Sequence, residues 1–393
     1  MNRRRLLAQL AGSFPLLLAG RLYAAPTSGP RLLLVFLRGG YDCANLLIPY
    51  ASADYYELRP RIAIARPGAS EGALALDADW ALAPAVRDTL GVLYRERQAA
   101  LVPFAGTDDL SRSHFETQDS IELGQPAGRT RDFSSGFLAR LCAVLTGATP
   151  IAFTDSLPLV LRGRANVPNI SLRGVGKPPF DAHESALLLE LYAGQPLQEA
   201  IADGLELQQQ VARTMATEMR AASRGAINAR GFELEAERMA RLMRSDYRVG
   251  FIDVGGWDTH VGEGAERGAL ASRLEELGRG LQSFARALDS DWSETVVVVV
   301  SEFGRTFREN GDAGTDHGHG SVYWVLGGRV QGGRMAGEQV RVARATLFQD
   351  RDYPVLNDYR AVLGGLFGRL WNLSPAQLEH VFPGAAPRDL RLV

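Results

Sequence analysis

Seven residues of metal-ligand type fall in three stretches of this 393-residue chain: Asp42; Asp258 and His260; and Glu302, Asp316, His317 and His319. Mixed carboxylate and imidazole donors suit zinc first, with manganese or iron as alternatives; calcium prefers shells of oxygen alone. One or two divalent ions are expected. A pair of ions would polarise an ester oxygen and stabilise both the attacking and the leaving group. Ser111, Ser113 and His114 form a second set. A hydroxyl at a helix start gains from free backbone N–H groups and the helix dipole, which suits a nucleophile. Capping the helix is the plainer role for either serine. Arg38, Arg112 and Arg305 lie beside these groups in sequence. Their guanidinium forks match the oxygens of phosphate and sulfate. Asp42 and Asp258 also read as ordinary turn or cap aspartates. His183 and His380 stand alone and read as structural or surface residues.

The elements that must position these groups are legible as apolar runs. Residues 296–300 are five valines. Such a stiff β-branched run fits a strand buried on both faces of a mostly parallel sheet. Residues 31–37 and 247–253 read the same way, and each ends in paired glycines, an aromatic residue and an aspartate. Chemistry collects at the carboxyl ends of strands in open α/β sheets. Further strands are expected over 99–105, 150–153, 157–161 and 321–326. Helical spacing predicts helices over 79–99, 133–145, 270–288 and 358–371. Residues 162–180 read as a loop, and 327–345 as a hairpin or loop. Residues 181–245 are rich in Leu and Met at helical spacing and read as a helical insertion or cap, with the methionines as packing. The expected fold class is α/β: a doubly wound, mostly parallel sheet with helices on both faces, forming one domain over 26–393.

Residues 1–25 read differently. Arg3, Arg4 and Arg5 precede a moderately apolar stretch, and Ala24 and Ala25 precede Pro26. That is the layout of an export signal, and Arg-Arg-x-Leu-Leu resembles the twin-arginine type. A periplasmic or secreted location is expected, with no membrane span after signal removal. Without this segment the 43 basic residues fall to 39 against 45 acidic ones, a net charge of −6. An acidic balance does not favour nucleic acid as a partner. Cys43 and Cys142 are too few for a disulfide framework, and their pairing is left open.

Several motifs together resemble a known family. They are the export signal, Phe36-Leu-Arg-Gly-Gly-Tyr-Asp42, Ser113-His-Phe115, Gly256-Trp-Asp-Thr-His260, Ser301-Glu-Phe-Gly-Arg305 and Asp316-His-Gly-His-Gly320. The chain resembles exported bacterial proteins carrying domain of unknown function 1501. That family is similar in turn to the alkaline phosphatase and sulfatase superfamily. The resemblance implies an alkaline-phosphatase-like core, two metal ions and a hydroxyl nucleophile at a helix start. It implies that Asp42 contacts one metal, and that Asp258, His260 and His319 or His317 bind the other. Glu302 stands where the superfamily places an aspartate, and Phe303 stands where it places a histidine.

The expected function is an exported metal-dependent hydrolase or transferase acting on a small anionic phosphate, sulfate or related ester, with Ser113 or Ser111 attacking. The departure at Glu302 and Phe303 motivates a second expectation, a periplasmic binding or assembly protein with a protein partner and no turnover. A metal-dependent isomerase or mutase is a third, because fold does not fix function.

Overall fold

The computed structural model describes residues 29–126, 130–171, 182–195, 197–199, 201–203, 205 and 232–393. The export signal expected over 1–25, and the middle of the helical insertion, lie outside the described residues. Eleven strands are described: β1 (Arg31–Leu37), β2 (Leu47–Ile48), β3 (Leu74–Ala75), β4 (Ala81–Leu82), β5 (Ala99–Gly106), β6 (Pro150–Ala152), β7 (Val249–Val254), β8 (Thr295–Ser301), β9 (Ser321–Leu326), β10 (Arg334–Met335) and β11 (Asn357–Asp358).

The main sheet runs β10-β5-β9-β8-β1-β7-β6, with β11 also paired to β5. β1 is parallel to both β7 and β8, and β6 is parallel to β7. Only β9 runs against its neighbours, antiparallel to β5 and to β8. β5 therefore runs in the same direction as β8. The loops that follow β1, β5, β7 and β8 all leave the sheet at one rim, where strand carboxyl ends place ligand sites.

Side chains alternate across the two faces of the sheet. On β8, Val297 and Val299 join one core with Leu33, Val35 and Leu37, while Val296, Val298 and Val300 join the other with Leu32, Leu34 and Phe36. That two-sided burial explains the unbroken valine run. The helices Phe232–Ser245 and Ala269–Leu288 cover the first face, and Phe137–Val144, Tyr359–Trp371 and Pro375–Val381 cover the second. Met239 and Met243 are core residues, as their spacing predicts. No described helix is long and apolar enough to cross a membrane.

Two elements differ from expectation. Only Leu90–Arg95 of the span 79–99 is α-helical; Ala81–Leu82 pairs with Leu47–Ile48, and Pro84–Val86 is a 3-10 turn. The apolar spacing there reflects burial of an irregular segment under the sheet, not a helix face. Residues 157–161 hold a 3-10 turn at Leu159–Leu161 instead of a strand. Pro158 precedes it and donates no hydrogen bond to a ladder. Both cysteines are free thiols: Cys43 lies in the core on one face, and Cys142 packs against the core on the other.

Candidate metal centre

The β7 exit is built first by its glycines and by Trp257. Trp257 is buried, its Nε1 donates to the Val254 carbonyl at 2.9 Å, and its ring meets Tyr41 edge-on at 6.0 Å. This anchors the backbone that carries Asp258. Gly39, at the end of β1, has φ +124°, and a Cβ there would lie 2.7 Å from the Asp258 nitrogen. The two strand exits touch, and only glycine allows it.

The loop from 302 to 320 folds back on itself. Gly304 donates to the His319 carbonyl at 3.0 Å, Gly318 donates to the Gly304 carbonyl at 2.9 Å, and Arg305 bridges to His317. Arg305 and His317 thus stand side by side. Thr315 donates its backbone N–H to the Thr259 carbonyl at 3.1 Å. The hydroxyls of Thr259 and Thr315 both donate to Glu263, at 2.7 and 2.9 Å. Asn310 adds a bridge, donating to the His260 carbonyl at 2.9 Å and to Asp316 at 3.2 Å. These bonds fix the loop bearing Asp258 and His260 against the loop bearing Asp316 and His317.

Asp258, His260 and His317 converge. Asp258 Oδ1 lies 2.9 Å from His260 Nε2 and 3.3 Å from His317 Nε2, and the two nitrogens are 3.1 Å apart. Bonds of zinc length give a tetrahedron edges of about 3.3 Å, so this triangle already has the size of one coordination face. His114 approaches the other carboxylate oxygen, with Nε2 3.5 Å from Asp258 Oδ2. One ligand atom each from His114, Asp258 and His317 lies within 4.8 Å of the others.

The far-side hydrogen bond fixes the tautomer of His317. His317 Nδ1 lies 2.9 Å from the Arg112 carbonyl, which only accepts. His260 Nδ1 faces Asp316 at 3.1 Å, and His114 Nδ1 faces Glu302 at 2.9 Å. In neutral His317 Nδ1 carries the proton and Nε2 a lone pair, whereas His260 has a carboxylate at each nitrogen, Asp316 at Nδ1 and Asp258 at Nε2. Arg112 has φ +52°, a conformation unusual for a residue with a side chain, and its guanidinium is held by Asp352 at 2.7 Å.

Charge at the site is mixed. Burial pushes the Asp258 carboxyl up, but Arg305 and His260 outweigh it and hold it below the usual range. Burial also pushes Glu302 up, and the bonds from His114, Gln118 and Gly39 reverse the shift. The bond to Glu302 raises the His114 pKa; burial lowers that of His317. Arg305 is 2% exposed, and its Nη2 lies 2.8 Å from Asp258 Oδ1. Nε and Nη1 of Arg305 have no hydrogen-bond partner, and neither does His114 Nε2.

The remaining expected residues are placed otherwise. Asp42 is buried and caps the 3-10 turn Cys43–Asn45, donating nothing to the triangle. Both its oxygens pair with Arg59, Nη2 to Oδ1 at 3.0 Å and Nη1 to Oδ2. Glu302 is fully buried behind His114, and its Oε1 accepts from Gly39 N at 2.8 Å and Gln118 Nε2 at 2.9 Å. Asp316 stands behind His260. His319 lies against the Phe348 ring, 5.1 Å between centroids, and burial next to Arg112 depresses its pKa to about 4. Arg38 is occupied by Asp253, Gln118 and Glu122. Ser111 contacts Thr117 at 3.3 Å, and Ser113 precedes the helix His114–Leu123 without a side-chain cap bond. Among the described contacts neither hydroxyl bonds to the triangle.

Two buried residues that bear on the site carry no sequence signal. Arg59 sits between Leu58 and Pro60, and Glu263 between two glycines. Arg59 ties Asp42 to the carbonyls of Thr306 and Phe307, at 2.9 and 2.7 Å. Glu263 hydrogen-bonds Asp42, and burial beside that carboxylate drives its own pKa well above the carboxylate range. Only the fold brings these partners together.

No curated protein matches the chain. Among solved structures it is similar to Ps i-CgsB in complex with k-i-k-neocarrahexaose, at 10% identity and TM-score 0.42, covering 91% of this chain and 75% of that one. It is also similar to a protein in the alkaline phosphatase superfamily from Vibrio parahaemolyticus, at 10% identity and TM-score 0.35, covering 83% of this chain and 69% of that one. Residues 30–382 match the family described as Protein of unknown function (DUF1501), and the chain belongs to that family.

Proposed function

We propose that this chain is a metal-dependent hydrolase or transferase of phosphate or sulfate esters, acting after export. One observation carries the reading. Three imidazoles and the Asp258 carboxylate converge beside a buried guanidinium with open donors. The two imidazole nitrogens of His260 and His317 face each other across 3.1 Å, a contact that requires a proton or a cation between them. Asp258, His260 and His317 would hold the ion, with zinc favoured by the donor set. A bound divalent ion supplies Lewis-acid polarisation of an ester oxygen. Arg305 is the anion holder: a planar fork, buried, with Nη2 on Asp258 and with Nε and Nη1 unpaired. Asp316 and Glu302 orient His260 and His114 from behind.

Elemental analysis of the purified mature protein, with turnover of p-nitrophenyl phosphate and p-nitrophenyl sulfate, tests this. Bound zinc, and ester hydrolysis lost in Asp258→Ala, are expected. Protein that takes up no divalent metal would overturn the reading.

A second reading has its own support. Phe303 is buried and its ring lies 5.0 Å from His114 and 5.1 Å from His317, where an imidazole would supply a further donor. A protein that binds metal, engages a protein partner and turns over no ester of a broad panel would fit it. Turnover of one ester, abolished by Asp258→Ala, decides against it.

A further inference from the structure

We propose that Arg112 is a positioning residue for His317: Asp352 holds the Arg112 guanidinium, and the Arg112 carbonyl then keeps the Nε2 lone pair of His317 turned to the metal centre. The proposal rests on the metal reading above and deepens it.

The arrangement starts from a backbone outlier. Arg112 has φ +52°, two residues before the helix His114–Leu123. A residue with a Cβ adopts that conformation at a cost, and such strain persists only where its surroundings enforce it. Here the side chain is tied from 240 residues along the chain. Arg112 Nε and Nη2 donate to Asp352 Oδ2 at 3.0 and 2.7 Å, and Nη2 also donates to Gln349 Oε1 at 2.8 Å. Two of the three guanidinium nitrogens are thus spent within the protein, where the sequence offers them to an anionic ester.

The holder is itself built firmly. Asp352 is fully buried, and Arg351 Nη1 lies 3.1 Å from each of its oxygens. Gln349 and Asp350, at φ +55° and +52°, make the tight turn from Phe348 to Arg351. Phe348 exchanges backbone bonds with Asp352 at 2.8 and 3.0 Å. Three left-handed residues with side chains therefore meet at one contact.

The same segment sets the His317 main chain. Phe307 donates to the Arg351 carbonyl at 2.9 Å, and Thr306 bridges to Asp352. Thr306 N donates to the Asp316 carbonyl at 2.9 Å, and its hydroxyl accepts from Asp316 N at 3.0 Å. His317 is the next residue. Residues 348–352 thus fix His317 twice, its backbone through Thr306 and Asp316 and its ring through Arg112. His317 Nδ1 donates to the Arg112 carbonyl at 2.9 Å, so Nε2 faces Asp258 Oδ1 at 3.3 Å and His260 Nε2 at 3.1 Å. A carbonyl behind a metal-binding imidazole sets its tautomer and direction.

Two measurements on the full chain test the proposal. Nitrogen NMR of isotopically labelled histidine, on zinc-free protein with neutral rings, reports which nitrogen of His317 carries the proton. Competition with a chromophoric chelator gives the zinc affinity. Wild-type His317 should be protonated at Nδ1 alone. Arg112→Gly tolerates the left-handed backbone and removes the guanidinium. Its His317 should divide between tautomers, and its zinc affinity should fall about 10- to 100-fold. Arg112→Lys should recover part of the loss, because an ammonium reaches Asp352 without spanning Gln349 as well. Asp352→Asn makes the same comparison with Arg112 intact, should the glycine variant fold poorly. Wild-type His317 protonated at Nε2 would overturn the proposal. So would a tautomer or a zinc affinity that stays unchanged in every variant. These outcomes leave the metal reading standing. Wild-type protein that binds no zinc overturns both.

Discussion

His260 and His317 present their Nε2 atoms to each other at 3.1 Å, while a carboxylate and a carbonyl hold their opposite nitrogens. Ring nitrogens so placed need a proton or a cation between them. Asp316 lies outside the triangle but sets the His260 ring, so Asp316→Asn should weaken zinc binding by about 10- to 100-fold without abolishing it. Competition with a chromophoric chelator would measure this. Unchanged affinity would mean that Asp316 is only a surface carboxylate.

Arg305 is expected to act on turnover and not on metal occupancy. Arg305→Ala should lower kcat by about 10² to 10³, the usual effect of removing one preorganised donor to developing charge. Arg305→Lys should recover little, since an ammonium lacks the planar fork. Steady-state kinetics alongside elemental analysis separates the two effects. A variant that loses its zinc would show that Arg305 supports Asp258 instead.

Glu263 and Asp42 form a buried acid pair with opposite pH behaviour. Asp42, held low chiefly by Arg59 against burial, adds stability above the usual aspartate range that is lost as pH falls. Glu263, raised by burial and by Asp42, adds stability that is complete below its unfolded pKa and is lost as pH rises through the folded value. Glu263→Gln keeps acceptors for Thr259 and Thr315 and removes the titration. The variant should gain on wild type as pH rises above 4.5, by up to about 1.4 kcal/mol per pH unit until the folded pKa is reached. Denaturant unfolding between pH 5 and 8 checks the slope; parallel curves would show that Glu263 ionises normally.

Gly39 predicts a coupled loss. In Gly39→Ala the new methyl meets the Asp258 backbone at a φ of +124°. Strain of this kind costs about 1 to 3 kcal/mol. The melting temperature should fall, and zinc affinity should fall with it, because the same contact seats Asp258. A thermal scan of the apo and zinc-loaded forms separates the two.

The sheet was legible because its strands announce themselves. The run Val296–Val300 is explained by two cores, and the paired glycines after β1 and β7 mark the exits that touch at Gly39 and Asp258. Asp258, His260 and His317, which the fold brings together, were legible as candidates because residues of ligand type stand there beside glycines and imidazoles are scarce. Arg59 and Glu263 were not, since their meaning lies in partners distant along the chain. The same limit hid the roles of Glu302 and Asp42. Residue type marks both as ligand candidates, whereas burial turns one to a histidine and the other to an arginine. The segment 79–99 misled for a different reason: apolar residues recur wherever a strip of chain is covered, and periodicity does not say by what.

β1 lies between β7 and β8, with Leu37 level with both Val254 and Ser301. The donors hang just beyond those levels, on separate segments. A slip of one residue along either pairing would rotate a donor loop to the opposite side of the layer. Under the metal reading proposed above, uptake of the ion would serve as a gauge of correct strand alignment: chains trapped with a shifted central pairing would keep their helices yet have no seat for zinc.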